Sequence, residues 1–207
     1  MPRPALSRAE IASFREELCA VAERLFAEHG YGGVTLRALA AELGVSPMTP
    51  YRYFRDKDDI FAAVRTAGVR RFADAQERAV AAAIDPEKRL RALARAYFEF
   101  ARSAPHAYRI MFEMNPLGRG EQYPTLHAEQ LRAWAPLRDA VAQAVRAGVL
   151  RGDAEHLAHV FWAGLHGIVS LDLAGTYAVL GEDAEALLAV MEHSLVEGNR
   201  APGRARR

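Results

Sequence analysis

Residues Thr35–Lys57, TLRALAAELGVSPMTPYRYFRDK, constrain what the chain can fold into more than any other stretch. Leu36, Leu39, Ala40 and Leu43 recur at the three- and four-residue spacing that gives a short helix one buried stripe. Thr35 is placed to cap the first turn, although Ala38 stands where a capping box would carry Glu. Gly44 then permits a sharp turn, Val45 supplies an apolar plug, and Ser46 before Pro47 is a start signal for a third helix ending near Phe54. Two short helices joined by Gly-Val-Ser describe a helix-turn-helix. Ala40 stands where they approach, so a bulky residue there would separate them. The second helix offers Thr49, Tyr51, Arg52 and Tyr53, types suited to base edges and phosphates. In an ordinary hairpin such residues would be merely solvated; turn, caps and burial pattern together favour the reading head.

The flanks read as helix throughout. Ile11, Phe14, Leu18, Val21, Ala22, Leu25 and Phe26 make one stripe on a helix from Ala9, which Gly30 is placed to end as a left-handed cap. Asp56 can cap a long fourth helix running to about Ile84, where Asp85-Pro86 breaks it. Further helices are predicted over 87–104, 105–114, 126–147, 154–177 and 184–197, with Pro136 expected to kink or divide its own. Asn115–Thr125, with two prolines and two glycines, reads as loop. Residues 1–8 read as a flexible basic arm, and Asn199–Arg207 as a basic disordered tail. The expected fold is all-α. A helix-turn-helix domain over 1–55 is joined by the long helix to a helical domain over 56–198, followed by the tail 199–207.

The run Phe26…Gly30-Tyr31…Val34-Thr35-Leu36…Leu39-Ala40…Leu43-Gly44-Val45-Ser46…Thr49…Tyr51…Tyr53-Phe54…Lys57 resembles the N-terminal signature of the tetracycline-repressor (TetR) family of transcription regulators. The likeness is contiguous over about residues 10–65. A second, less diagnostic likeness, Phe161-Trp162-Ala163-Gly164-Leu165-His166-Gly167, is similar to the Trp-His-Gly segment of one subset of the family's C-terminal domains. The resemblance implies double-stranded operator DNA as partner. Thr35 would touch a phosphate and Arg37 a base edge, where a bidentate Arg–guanine pair contributes about 1–3 kcal/mol of discrimination. Ser46 would head the reading helix, with Pro47, Met48, Thr49, Tyr51 and Arg52 in or against the major groove. Tyr53 and Lys57 would grip phosphates. Met48 and Pro50 depart from the family pattern, which has a small residue and an aliphatic one there. At the fourth helical position Pro50 removes only the first intrahelical bond, so the helix is expected to survive with an irregular first turn.

One helix-turn-helix contacts one half-site, and two copies about 34–36 Å apart supply affinity and specificity together. Two apolar stripes can serve a dimer: Leu157, Val160, Phe161, Gly164, Leu165, Ile168 and Leu171, with Gly167 also permitting close approach, and Leu187, Leu188, Val190, Met191 and Leu195. They either close the monomer's own core or pair across a two-fold axis. The resemblance implies the latter, a homodimer through the last two helices. Phe98, Phe100, Tyr108, Met111, Phe112, Met114, Trp134, Phe161, Trp162 and His166 are plain core or an adaptable apolar lining. The resemblance implies a small-molecule cavity in the helical domain, with Phe100, Tyr108, Met111, Phe112, Trp134, Phe161, Trp162 and His166 as its expected ligand-binding residues. An effector fitting only a differently splayed dimer would lower DNA affinity by the same coupling factor, with the long helix as lever.

The formal net charge of +1 does not itself announce nucleic acid, so a local basic surface must carry that reading. Hydrophobic residues at 51% suffice for a core, and 26% charged residues speak against membrane embedding and disorder. The single Cys19 excludes an intrachain disulfide and fits a reducing compartment. With no apolar leader or spanning stretch visible, the expected location is the cytoplasm. His156 and His159 share a helix face with His166 beyond, yet no third ligand or supporting shell accompanies them, so no metal is expected. No P-loop, dinucleotide fingerprint or nucleophile elbow appears, so neither cofactor nor catalysis is expected. A helical protein-binding adaptor is the remaining alternative, with a small-molecule enzyme behind it.

Overall fold

A computed structural model describes residues 7–118 and 122–202. Among the described residues there are nine α-helices, one 3-10 turn and no strand: α1 (Arg8–Gly33), α2 (Leu36–Glu42), the turn Pro50–Arg52, α3 (Lys57–Ala81), α4 (Pro86–Ser103), α5 (Pro105–Phe112), α6 (Pro124–Arg146), α7 (Ala154–Leu173), α8 (Thr176–Leu180) and α9 (Ala184–Gly198). The all-α expectation holds. None of these helices is long and apolar enough to cross a membrane. Residues 1–6 of the expected arm, 119–121 of the expected loop and 203–207 of the expected tail lie outside the described residues.

The chain divides into two compact units, and the division does not fall at residue 55. One unit holds the residues up to Val69 together with His106–Glu129; the other holds Arg70–Pro105 and the residues from Gln130 onward.

In the first unit α1 begins at Arg8, earlier than Ala9, because Ser7 closes a capping box. Its hydroxyl accepts from the Glu10 amide at 3.2 Å, and the Glu10 carboxylate accepts from the Ser7 amide at 2.7 Å. Gly30 does take positive φ, but with ψ at 168° it is extended rather than left-handed helical, and the chain makes one more turn to Gly33. Leu18, Ala22, Phe26, Leu39, Ile60, Phe61 and Ile110 form a closed core, with Phe26 and Phe61 edge to face at 5.1 Å. α5 packs on α3 at Gly68, whose missing side chain leaves 3.5 Å to Ala107 and Met111. Two arginines then tie α5 down through backbone carbonyls. Arg109 donates to Ala27 at 2.8 Å, and Arg65 donates to Met111 at 2.8 Å and to Asn115 at 3.1 Å.

In the second unit aspartates start the helices: Asp85 caps α4, Asp153 caps α7 and Asp183 caps α9. Pro136 does not divide α6, which runs through it as one helix. A proline interrupts one backbone bond, whereas Leu137, Ala140, Val141 and Ala144 bury the same helix against Leu90, Leu93, Leu157 and Phe161. α7 stops at Leu173 rather than 177. Gly175 turns left-handed at φ 73°, a conformation other residues adopt at a cost, and starts the short α8. The tail's first residues are also ordered by pairing. Arg151 N donates to the Asn199 carbonyl at 2.8 Å, Ala201 N donates to Val149 at 3.2 Å, and Arg200 pairs with Glu197 at 2.6 Å.

Candidate nucleic-acid interface

The helix-turn-helix is built as its sequence requires. Thr35 Oγ1 accepts from the Ala38 amide at 3.1 Å, and Leu36, Leu39 and Ala40 are buried. Gly44 has φ 65°, which lets the chain reverse, and the Val45 amide returns to the Ala40 carbonyl at 2.9 Å. The reading segment departs from expectation, being no α-helix. Thr49 N bonds Ser46 O at 2.8 Å and Arg52 N bonds Thr49 O at 3.1 Å, three residues apart, and only Pro50–Arg52 form a 3-10 turn. Pro50 lacks the amide that would reach back to Ser46, so the first α-helical bond cannot form. Ser46 caps weakly, its hydroxyl 3.4 Å from the Met48 amide. Pro50 is buried, whereas Met48 and Tyr51 stand 67% and 52% exposed.

Arg37, Ser46, Pro47 and Arg52 are likewise exposed, Thr35 caps from an exposed position, and Thr49 is half-buried. Two expected phosphate contacts have other partners. Tyr53 stacks on Phe14 with ring centroids 4.4 Å apart. Lys57 donates to the Tyr31 carbonyl at 2.9 Å and lies 4.0 Å over the Tyr31 ring. Arg15 had no signal in the sequence. Its guanidinium donates to the Tyr53 carbonyl and sits 4.0 Å over Phe54, bracing the reading turn from 38 residues away. The acidic residues beside the head are also engaged. Asp56 accepts from the Asp59 amide at 2.8 Å as the cap of α3, and Asp58 accepts from the Tyr31 hydroxyl. Asp59 pairs with Arg55 at 3.1 Å, a bond that holds its carboxyl below the usual range. Burial, then Asp58, pushes the Tyr31 hydroxyl upward. Burial likewise pushes the Cys19 thiol up to about 11, so it is no ready nucleophile.

The expected ligand-binding residues do not fall in one unit. Tyr108, Met111 and Phe112 belong to the first, Tyr108 fully buried and 4.8 Å from Phe112. Phe100, Trp134, Phe161, Trp162 and His166 belong to the second. There Phe100 packs edge to face on Phe72 at 5.2 Å, and Phe161 is core. His166 lies 3.3 Å from the Tyr97 hydroxyl and 3.4 Å from Ser170, with Trp162 and Trp134 alongside. The apolar stripes divide too. Leu157, Phe161, Leu165, Ile168 and Leu188 are buried, while Val160, Leu171 and Val190 remain 49%, 43% and 63% exposed. Gly164 serves packing within the chain: a side chain there would meet Met191 Sδ at 3.0 Å, whereas Gly167 faces open space.

A helix-turn-helix head continued by an all-helical unit defines the class of bacterial helix-turn-helix regulators. The family model for bacterial regulatory proteins of the tetR family matches residues 18–64, and that of the tetracyclin repressor-like C-terminal domain matches 90–195. The chain belongs to the TetR family. The HTH-type transcriptional repressor AcnR of Corynebacterium diphtheriae is 37% identical over 71 residues, 34% of this chain and 37% of that protein. The chain spans under half the length of the first curated relatives it matches. A protein of unknown function from Rhodococcus sp. RHA1 has the same fold, with TM-score 0.75, 27% identity and coverage of 96% of this chain and 98% of that one. AibR, solved with isovaleryl coenzyme A and operator DNA, shares the fold at TM-score 0.72 and 22% identity, over 88% of this chain and 97% of that one.

Proposed function

We propose that the chain is a homodimeric transcription regulator, a repressor, that holds a palindromic operator through two heads and is released by a small apolar effector. The reading is carried by Arg37, Met48, Tyr51 and Arg52. They face solvent on a helix-turn-helix whose neighbouring aspartates are already engaged. Cations and apolar tips presented together fit the phosphates and base edges of a major groove. Thr35, Ser46, Pro47 and Thr49 complete the surface, and Tyr53 and Lys57 border it. Likeness to AcnR over the head supports repression, and AibR, solved with isovaleryl coenzyme A and operator DNA, supports an effector. Val160, Leu171 and Val190, left exposed on α7 and α9, are the surface through which two copies would meet. α3, continuous from the head into the second unit, would couple effector to DNA. Like the operator, the regulator would work in the cytoplasm.

Fluorescence anisotropy with the gene's own upstream DNA across a salt series, with light scattering on the same sample, tests this. A dimer whose sequence-selective affinity falls steeply with salt is expected. A monomer, or a protein indifferent to every DNA offered, overturns the reading.

A further inference from the structure

Within the second unit, α3 and α6 are braced at two places and stand apart between them. At one, Arg132 of α6 donates to Glu77 at 2.7 and 2.6 Å and to Asp74. At the other, about 16 Å along α6, the link runs through α4: Arg89 donates to the Ala83 carbonyl just beyond α3 at 2.7 Å and to Gln143 of α6. The residues between are short: Val80 and Ala81 on α3, Ala135, Pro136 and Ala140 on α6. A groove of about 490 Å³ lies between them. That volume is in the range of small-molecule sites.

The charge around this groove is unbalanced. Of its acidic groups, Glu77 shares Arg132 with Asp74, and Asp139 is paired with Arg138 at 2.9 Å. The remaining charged residues are Arg89 and Arg146. Arg89 bonds a carbonyl and an amide, both neutral, and among the described residues neither arginine has a carboxylate within ion-pair reach. Two uncompensated guanidiniums thus border a floor of methyl groups and a proline ring.

We infer that this groove binds a small anionic amphiphile, a carboxylate on an apolar body, with the head group on Arg89 and Arg146 and the body along Val80, Ala135, Pro136 and Ala140. A guanidinium suits a carboxylate because it offers paired N–H donors in its plane. Burying the apolar body supplies the rest of the affinity. The inference is independent of DNA binding, since it rests on one unit alone.

The test uses the full chain and four probes: decanoate kept below micelle formation, decyltrimethylammonium of the same chain length, acetate and inorganic phosphate. Calorimetry gives stoichiometry. Intrinsic fluorescence gives a second readout, because both tryptophans lie in this unit and Trp134 directly precedes Ala135. Decanoate should bind saturably at one per chain, with the other three at least tenfold weaker. Arg146→Gln, exposed and outside every helix contact described above, should weaken decanoate at least threefold, and Arg89→Gln with it about tenfold or more. Ala81→Trp keeps both charges, fills the groove, and should abolish binding while the melting curve is retained. Equal binding of the two amphiphiles, equal binding of acetate or phosphate, or full affinity in Ala81→Trp would each overturn the inference.

Discussion

The two units use their cations differently. In the unit that carries the reading head, four cations brace backbone, Arg15 on Tyr53, Lys57 on Tyr31, Arg65 on Met111 and Arg109 on Ala27, beside the ion pairs of Arg24, Arg55 and Arg109. In the other unit the arginines mostly meet carboxylates, as in Arg91–Glu87, Arg95–Glu99, Arg132–Glu77 and Arg200–Glu197. A donor on a carbonyl fixes one piece of chain in one place, while an exposed ion pair is screened and contributes little. Apolar surface follows the same division. The first unit closes around a tight aromatic core, while α7 to α9 leave Val160, Leu171, Val179, Leu180 and Val190 outside. The first unit leaves apolar residues out chiefly at the tip of the head, the second along one face of α7 to α9.

The strongest way to break this contrast is to make the outer face of α7 and α9 polar. Val160→Asp with Val190→Asp should convert the proposed dimer to monomer by light scattering, a loss of at least about 100-fold in association, because burying a carboxylate without a partner is costly. The helical content should be unchanged, since both residues are exposed within the chain. A variant that stays dimeric would place the interface elsewhere. Next comes the brace. Arg15→Met removes a charged donor from the Tyr53 carbonyl and a cation from the Phe54 ring, together about 2 kcal/mol. Urea unfolding should register that loss, with operator affinity falling alongside it. An unchanged midpoint would mean that the reading turn holds itself.

What the sequence made legible was local. Thr35 and Asp56 cap as expected, Gly44 turns where it must, and Leu36, Leu39 and Ala40 are buried, because each depends on neighbours a few residues away. The misses are of two kinds. Prolines were read with single rules, yet Pro50 prevents an α-helix and Pro136 leaves one undivided, because neighbouring bonds and packing decide the outcome. Long-range braces such as Arg15 and Arg109 carry no periodic signal. The ligand-binding residues expected through the resemblance divide between the units, since Gly68 lets α5 pack on α3 and Tyr108 and Met111 belong to the first.

The second unit also contains a carboxylate in the wrong surroundings. Glu192 of α9 borders a small apolar space lined by Leu90, Phe161 and Leu165, and burial pushes its carboxyl up to about 7, against the opposing pull of Arg91 and Arg95. A carboxyl raised on folding stabilises least when ionised. This contribution is full at low pH, declines as pH rises from the ordinary carboxylate range through about 7, and is flat above. Glu192→Gln should therefore stabilise the chain at pH 8 by about 1–2 kcal/mol, discounted for partial exposure, and change little at pH 4.5. Paired denaturant titrations at the two pH values measure the difference, and equal shifts at both would remove the titration from the account.

The smallest stability effect belongs to the tip of the head. Met48 is 67% exposed, so Met48→Ala should alter the melting curve hardly at all, within about 0.5 kcal/mol. Its proposed role lies in the major groove, where an apolar side chain can distinguish thymine by its methyl group. Replacing single dT positions of the operator by dU removes that methyl and no hydrogen bond. One such position per half-site should weaken the intact protein about twofold to fourfold, the size of one lost methyl contact. Met48→Ala should be weaker on dT and indifferent to the exchange at that position. If every dU operator binds as tightly as its dT parent, Met48 reads no methyl group, and the rigidity that Arg15 and Pro50 give this turn serves Tyr51 and Arg52 instead.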